Sequence, residues 1–405
     1  MRLVVRSVVR LVLVVGFGLA AWPVRAQVAM SGAVSGEVRA FPQSPGIAGQ
    51  DLTSAQPTLT AEAKVDVAGL PKGFVATFNP YVRYDAIDSG RSVFDLHELN
   101  VSGGGRWWHL KAGYDVQFWG VMEFVNPVNI LNQTDLTEDV FSKRKLGQPM
   151  VDYTLLGAFG TIDFYALTRF EPMQFPQSPG RLRPSIPIRQ DNVTYSSGNG
   201  RSQVEGAVRY FRNIRNVYLG VSHFYGYQRE PEMALDFSNG AVASLTPNYN
   251  LEHQTGLELQ VTFGNMIVKS EDVVRFEPDT NRRSDAISVG GEYDLGAAMN
   301  ARRTFTVFGE YYYDSREQSL IIPFRNDVFA GLRIGLNDRR SSEIRVWGNY
   351  DLTGRSGTAI VCDANARISD RVKAAVAYRG IVTDQQTFSS ISRDSHVVLR
   401  LEVFF

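Results

Sequence analysis

The last ten residues, His396-Val397-Val398-Leu399-Arg400-Leu401-Glu402-Val403-Phe404-Phe405, alternate from end to end. Counting back in twos from Phe405, the residues Val403, Leu401, Leu399 and Val397 are all apolar. The interleaved set is Phe404, Glu402, Arg400, Val398 and His396. Side chains of a strand repeat every two residues, so one face of this segment can meet apolar matter while the other meets a polar space. The same alternation recurs along the chain. Thr58 to Asp66 sets Leu59, Ala61, Ala63 and Val65 against Thr60, Glu62, Lys64 and Asp66. Gly73 to Asp85 sets Phe74, Ala76, Phe78, Val82 and Tyr84 against Thr77, Asn79, Arg83 and Asp85. Arg106 to Gln117 and Glu343 to Asp351 behave in the same way. Each run is about 9–12 residues, the length a tilted strand needs to cross a bilayer.

The connections alternate between short and long. Gly103 to Gly105, Ala158 to Gly160, Gly264-Asn265, Asn337 to Ser341 and Ile368 to Asp370 are short. Pro42 to Gln56, Phe118 to Gln148, Glu171 to Gly200, Gln228 to Asn250 and Ile381 to Arg393 are long. This rhythm predicts an all-β, up-and-down antiparallel transmembrane β-barrel with short turns at one end and long loops at the other. The count from Ser31 to Phe405 is about eighteen strands, with sixteen as the fallback. The parity around Phe94 to Val101 is ambiguous and Met150 to Leu156 is a weak strand. A globular β-protein of two packed sheets would not need so many membrane-length alternating runs.

Arg2, Arg6 and Arg10 precede an apolar run from Leu11 to Ala21, and Val24-Arg25-Ala26 offers small residues for cleavage. This reads as a secretory signal peptide over residues 1–26, with the barrel over 27–405. The run is too short for a convincing spanning helix. The few residues between Gln27 and Gly32 leave no room for a plug domain, which argues against an energy-coupled transporter. Forty-two basic and forty-two acidic residues cancel, so nothing points to nucleic acid. The single Cys362 excludes an intramolecular disulfide and a cysteine-based metal cluster. The histidines His97, His109, His223, His253 and His396 are scattered without zinc-site spacing, and none is followed two residues later by serine. No metal, cofactor or enzymatic activity is expected.

A barrel of sixteen or more strands has room for an aqueous lumen, so its narrowest point decides what passes. The third loop, Phe118 to Gln148, is the candidate constriction. It opens with Phe118-Trp119-Gly120 and carries Glu123, Asp135, Glu138 and Asp139, then Lys143, Arg144 and Lys145. The arginines Arg333, Arg345, Arg367, Arg379 and Arg400 fall on the polar parity of the last strands, and closure would bring Arg39 beside them. Asp327, Glu343, Asp363, Glu402 and Glu37 share that wall, while Glu258, Glu271, Glu292 and Glu310 sit at polar parity on the opposite arc. A charge ladder that only stabilises a wet sheet face and a transverse field that orients a solute are both open at this point. The loop Glu171 to Gly200 holds Arg181, Arg183 and Arg189 among five prolines, a composition suited either to capping the mouth or to holding anionic lipopolysaccharide.

Phe118-Trp119-Gly120, Ile130-Leu131-Asn132-Gln133-Thr134-Asp135, Lys145-Leu146-Gly147-Gln148-Pro149-Met150, Gly180 to Pro184, His223 to Gly226 and Arg229 to Pro231 resemble a family of uncharacterised porin-like outer-membrane β-barrels of proteobacteria. The terminal aromatic is similar to the closing strand of Gram-negative outer-membrane barrels, where it is also the insertion signal. The resemblance implies localisation in the outer membrane and contact with its lipid, lipopolysaccharide and barrel-insertion machinery. It also implies passive passage of small polar or amphipathic solutes. A non-conducting structural barrel and a transporter of hydrophobic compounds are the alternatives. Monomer and homotrimer are both open.

Overall fold

The structure is a computed structural model, described over residues 27–139, 141, 144–298, 302–316, 324–353, 358–382 and 389–405. The expected signal peptide (1–26) and Lys143 lie outside the described residues.

The strands are β1 (Gln27–Ala40), β2 (Ala55–Ala68), β3 (Val75–Asp85), β4 (Val93–Gly104), β5 (Trp108–Asp115), β6 (Gln148–Gly157) and β7 (Gly160–Leu167). They continue as β8 (Thr194–Tyr195), β9 (Glu205–Ile214), β10 (Val217–Tyr227), β11 (Glu232–Ser238), β12 (Ala241–Tyr249), β13 (Leu251–Phe263) and β14 (Met266–Glu277). The remainder are β15 (Arg282–Asp294), β16 (Thr304–Asp314), β17 (Asn326–Gly335), β18 (Glu343–Asp351), β19 (Thr358–Ser369), β20 (Val372–Val382) and β21 (His396–Phe404). Eighteen of them form one sheet in which β1 pairs with both β2 and β21, so the sheet closes and presents no free edge. The other three, β8, β11 and β12, make a small sheet from the loops at one end. The stretch from Gln228 to Asn250, expected as a plain loop, is therefore a hairpin. Its alternation is too weak to be told from loop composition by sequence alone.

The chain's last residue lies in the seam. The Phe405 N–H donates to Gly32 O, and the Gly32 N–H donates to Phe405 O, each at 3.0 Å. A Cβ on Gly32 would meet the Phe405 ring at 2.5 Å, so glycine is what lets the terminal aromatic lie there. Gln27 and Phe405 stand at the end that carries the short connections.

Apolar residues face outward all around the barrel, with Val34, Leu59, Leu99, Phe164, Val289, Val346 and Leu399 among those exposed. Lipid, not water, suits such a belt. The ambiguous parity near Phe94 has a local cause. Asn79 faces Glu98 and Pro80 faces Leu96, so His97 is an extra residue in a bulge. The outward set then switches from Phe94 and Leu96 to Leu99 and Val101. His97 and Glu98 both turn inward, where His97 stacks on Tyr81 and Glu98 pairs with Lys64.

Candidate functional site: a lumen crossed by the third loop

Residues 116–147, between β5 and β6, fold into the barrel. The entry is clamped by Asn132, which is fully buried. Its Oδ1 accepts from the Gln117 N–H at 2.8 Å, and its Nδ2 donates to Asp115 O and Leu146 O at 2.9 Å each. Gly120 follows at φ +125°. A Cβ there would collide with Glu271 Oε1 at 2.6 Å, so glycine allows the backbone to reach the far wall.

There the loop meets the acidic arc. Glu271 Oε1 on β14 accepts the N–H groups of Val121 and Met122 at 2.6 and 2.9 Å, and Glu310 on β16 accepts those of Glu123 and Phe124. The Glu123 carboxylate then reaches Arg333 on β17 at 2.9 Å and Arg345 on β18 at 2.8 Å. Those two arginines are direct cross-strand partners. Like charges directly opposite destabilise a sheet, and the loop's carboxylate between them relieves the repulsion. The wall itself offers Arg333 only the more distant Glu292, at 3.8 Å, and the loop residue supplies the nearer anion. Beside it, the Phe124 ring packs against Phe329 at 4.8 Å, Trp347 at 5.0 Å and Phe308 at 5.5 Å. These three aromatics sit at inward parity on β16, β17 and β18. That was a legible anomaly in strands whose inward face is otherwise polar.

The returning half of the loop is tied to the β1–β3 side. Asp135 is buried in an ion pair with Arg83 at 2.9 Å, with exposures of 0% and 2%. The Glu138 carbonyl accepts from Arg39 and Arg91, and its carboxylate pairs with Arg144 at 2.9 Å. The Arg144 guanidinium lies 4.0 Å over the Tyr81 ring. Lys145 donates to Thr134 Oγ1 at 3.0 Å and to Asn132 O at 3.1 Å. Asp139 reaches Arg379 on β20 at 3.3 Å. The anchors Arg83 and Arg91 carried no distinguishing sequence signal, because any inward arginine reads alike.

Between the loop and the wall from β16 round to β1 lies an open cavity of about 510 Å³. Glu123, Glu138, Asp139 and Lys145 line it from the loop. Arg345, Arg379, Arg400, Arg39, Glu37 and Asp363 line it from the wall, with Phe118, Phe124, Phe141, Phe324, Phe329, Tyr312 and Trp347 as its aromatic part. The wall charges are paired: Glu37 with Arg39 at 2.9 Å and Arg400 at 2.5 Å, and Asp363 with Arg379 at 2.8 Å. Four expected residues stand outside the lining. Asp135 is behind the loop, Arg144 is stacked on Tyr81, and Arg333 is under Glu123. Arg367 is at the short-turn rim, donating to Asp370 O at 3.2 Å and lying over Phe404.

The fourth loop, residues 168–204, crosses the opposite end of the barrel. Arg181 pairs with Asp394 at 2.7 Å and donates to Gln43 O at 2.9 Å, and Arg183 donates to Ala48 O at 2.9 Å. Gln50 also donates to Asp394, at 3.2 Å. Arg181 and Arg183 are buried, which removes them from contact with lipopolysaccharide, whereas Arg189 is half-exposed. Asp394 lies in the loop before β21, and burial pushes its carboxyl up to about 6 even with Arg181 beside it.

No family model and no curated protein matches the chain. Among solved structures, the barrel is similar to a BenF-like porin from Pseudomonas fluorescens Pf-5. The TM-score is 0.55 at 10% identity, covering 94% of this chain and 98% of that one. It is also similar to Pseudomonas aeruginosa OccK2 (OpdF), whose structure is in complex with glucuronate. Here the TM-score is 0.52 at 11% identity, covering 94% and 97% of the two chains. Closed strand pairing, an apolar outer belt and an inward third loop make this chain a porin-like transmembrane barrel in architecture.

Proposed function

We propose that the protein is an outer-membrane channel for the passive passage of small polar or amphipathic solutes. The observation that carries this reading is the cavity of about 510 Å³ that remains beside the third loop, with arginines and carboxylates facing one another across it and an aromatic wall at one side. A solute with an apolar body and a charged group has a surface for each part. In this reading Glu123, Glu138 and Asp139 with Lys145 form the loop side of the constriction. Arg39, Arg345, Arg379 and Arg400 form the wall side. Residues 1–26 are a signal peptide removed on export, the short turns are periplasmic, and the terminal strand is read by the insertion machinery. The chain is assigned no catalysis: the lumen charges are held in ion pairs that position a loop.

The alternative of a non-conducting barrel draws on the fourth loop, which is bolted across the mouth by Arg181 and Asp394. A transporter of hydrophobic compounds fits less well, because the aromatic cluster around Phe124 is packed and the cavity is ringed with charge. Single-channel recording of purified protein in planar bilayers decides among them. The channel reading expects discrete conductance steps and a reversal potential that shifts when Glu138 and Asp139 are replaced by Gln and Asn. Absence of conductance from correctly folded barrels would overturn it.

A further inference from the structure

The outward face of the barrel carries a polar patch that a lipid-facing surface does not need. On β14 the odd-numbered residues face the lumen: Glu271 holds the third loop, Lys269 pairs with Glu292 and Arg275 donates to Gln254. The even-numbered residues therefore face outward, and among them is Asp272, seventh of the twelve residues of the strand. Its cross-strand partners are Leu257 and Ile287, and Val274 beside it is 61% exposed. The carboxylate accepts a hydrogen bond from Ser270 at 2.9 Å. The polar surface continues toward the long-loop end of the barrel. Thr255, paired with Val274, has its Oγ1 at 2.9 Å from His223 Nδ1, and His223 Nε2 is 3.3 Å from His253 Nδ1. Other outward charges of the described strands, Arg212, Arg283 and Asp285, stand near strand ends.

A carboxylate halfway along a spanning strand finds neither water nor headgroups, and ionisable residues at that depth mark contacts other than lipid. A lipid phosphate is excluded on two counts: the depth is wrong, and the group has the same sign of charge. What satisfies the patch is a protein face with imidazoles where this one has a carboxylate, and the reverse. This chain carries both halves, on either side of Leu257. Under a two-fold axis near that residue, His223 and His253 of each copy face Asp272 of the other, while the apolar residues around them pack together.

We propose that the outward face of β10, β13 and β14 is an interface between two copies of this chain, centred on Asp272, His223 and His253. The test uses the full chain in native membranes and in mild detergent, with Cys362→Ser as background. Leu257→Cys should give a disulfide-linked pair on oxidation, and Val346→Cys, on a distant outward face, should not. The native mass should be that of two chains. Adding Asp272→Val should abolish the cross-link and halve the mass, while heat-modifiable gel migration shows the barrel still folded. His223→Leu with His253→Leu should do the same. A single-chain mass without the Leu257→Cys cross-link overturns the proposal. So does a two-chain species that both sets of substitutions leave intact.

Discussion

The third and fourth loops both reach across the barrel, but they are held in different ways. The third loop offers backbone N–H groups to two wall carboxylates and a carboxylate to two wall arginines, and it buries Trp119, Phe124 and Leu131 on the way. The fourth loop is tied down on both sides of its middle, by Phe170 packing on Tyr227 and Tyr249, by Met173, Phe175 and Ile188 packing on Leu245, and by β8 pairing with β12. The stretch 177–184, however, rests on one buried ion pair, a few carbonyl contacts at the rim and a small apolar cluster of Leu182, Ile381 and Ile391. Redundant anchors in a dry site make an element part of the wall. A stretch held by a single ion pair makes a cover that can be lifted. In the channel reading the constriction is thus built in, and any variable opening belongs to the 177–184 stretch of the outer loop.

The sharpest way to break this contrast is at the acceptors. Replacing Glu271 and Glu310 together by Ala leaves four backbone N–H groups without their charged acceptors. Hydrogen bonds to charged groups contribute about 1.5–3 kcal/mol each, so the tip of the third loop should leave the far wall. Once Glu123 withdraws, Arg345 loses its carboxylate partner and Arg333 keeps only the more distant Glu292, at 3.8 Å. The expected outcome is a several-fold rise in single-channel conductance and a reversal potential moved toward anions. An unchanged conductance would mean that the loop does not limit flow. Asp135→Asn should act differently. It strips Arg83 of a buried partner, which costs about 3–5 kcal/mol, and is expected to lower thermal stability more than it alters selectivity.

The sequence made the frame of this comparison legible and left its fastenings hidden. Alternation gave strand direction, facing and count, because a lipid-facing surface enforces period two on every strand. Where it faltered, at His97, the structure has a bulge that puts two consecutive side chains on one face. The third loop could be singled out by its place among the long connections, its Gly120 and its charged residues. That Glu123 would bridge two arginines could not be, since pairing across 210 residues leaves no trace in local pattern. Arg367 shows the converse limit. Its parity is inward like that of Arg345, but parity says nothing of height along the barrel axis, and it stands at the rim.

The weaker anchor predicts a smaller effect. Arg181→Ala removes the guanidinium from Asp394 and loosens residues 177–184 from the loops before β2 and β21. Labelling of a cysteine introduced at the exposed Ser178, in the Cys362→Ser background, should become faster in intact cells. Conductance should rise modestly or become noisier, by less than in the Glu271/Glu310 variant. An effect as large as that one would reverse the ranking of the two loops.

The smallest expected effect is on proton linkage at the same latch. With the loop closed, burial holds the Asp394 carboxyl at about 6, whereas an unburied aspartate titrates near 3.8. Closing therefore takes up a proton between these two values, so acid favours the closed form and the preference fades as pH rises through about 6. Hydrogen exchange of residues 43–51 and 177–184, corrected for intrinsic rates, should show stronger protection at pH 5 than at pH 7. Asp394→Asn, which is neutral throughout, should hold the protection constant over that range. Protection that instead increases with pH would mean that the ionised pair with Arg181 outweighs the burial of the carboxylate. The cover would then be fastened by charge in the same manner as the third loop.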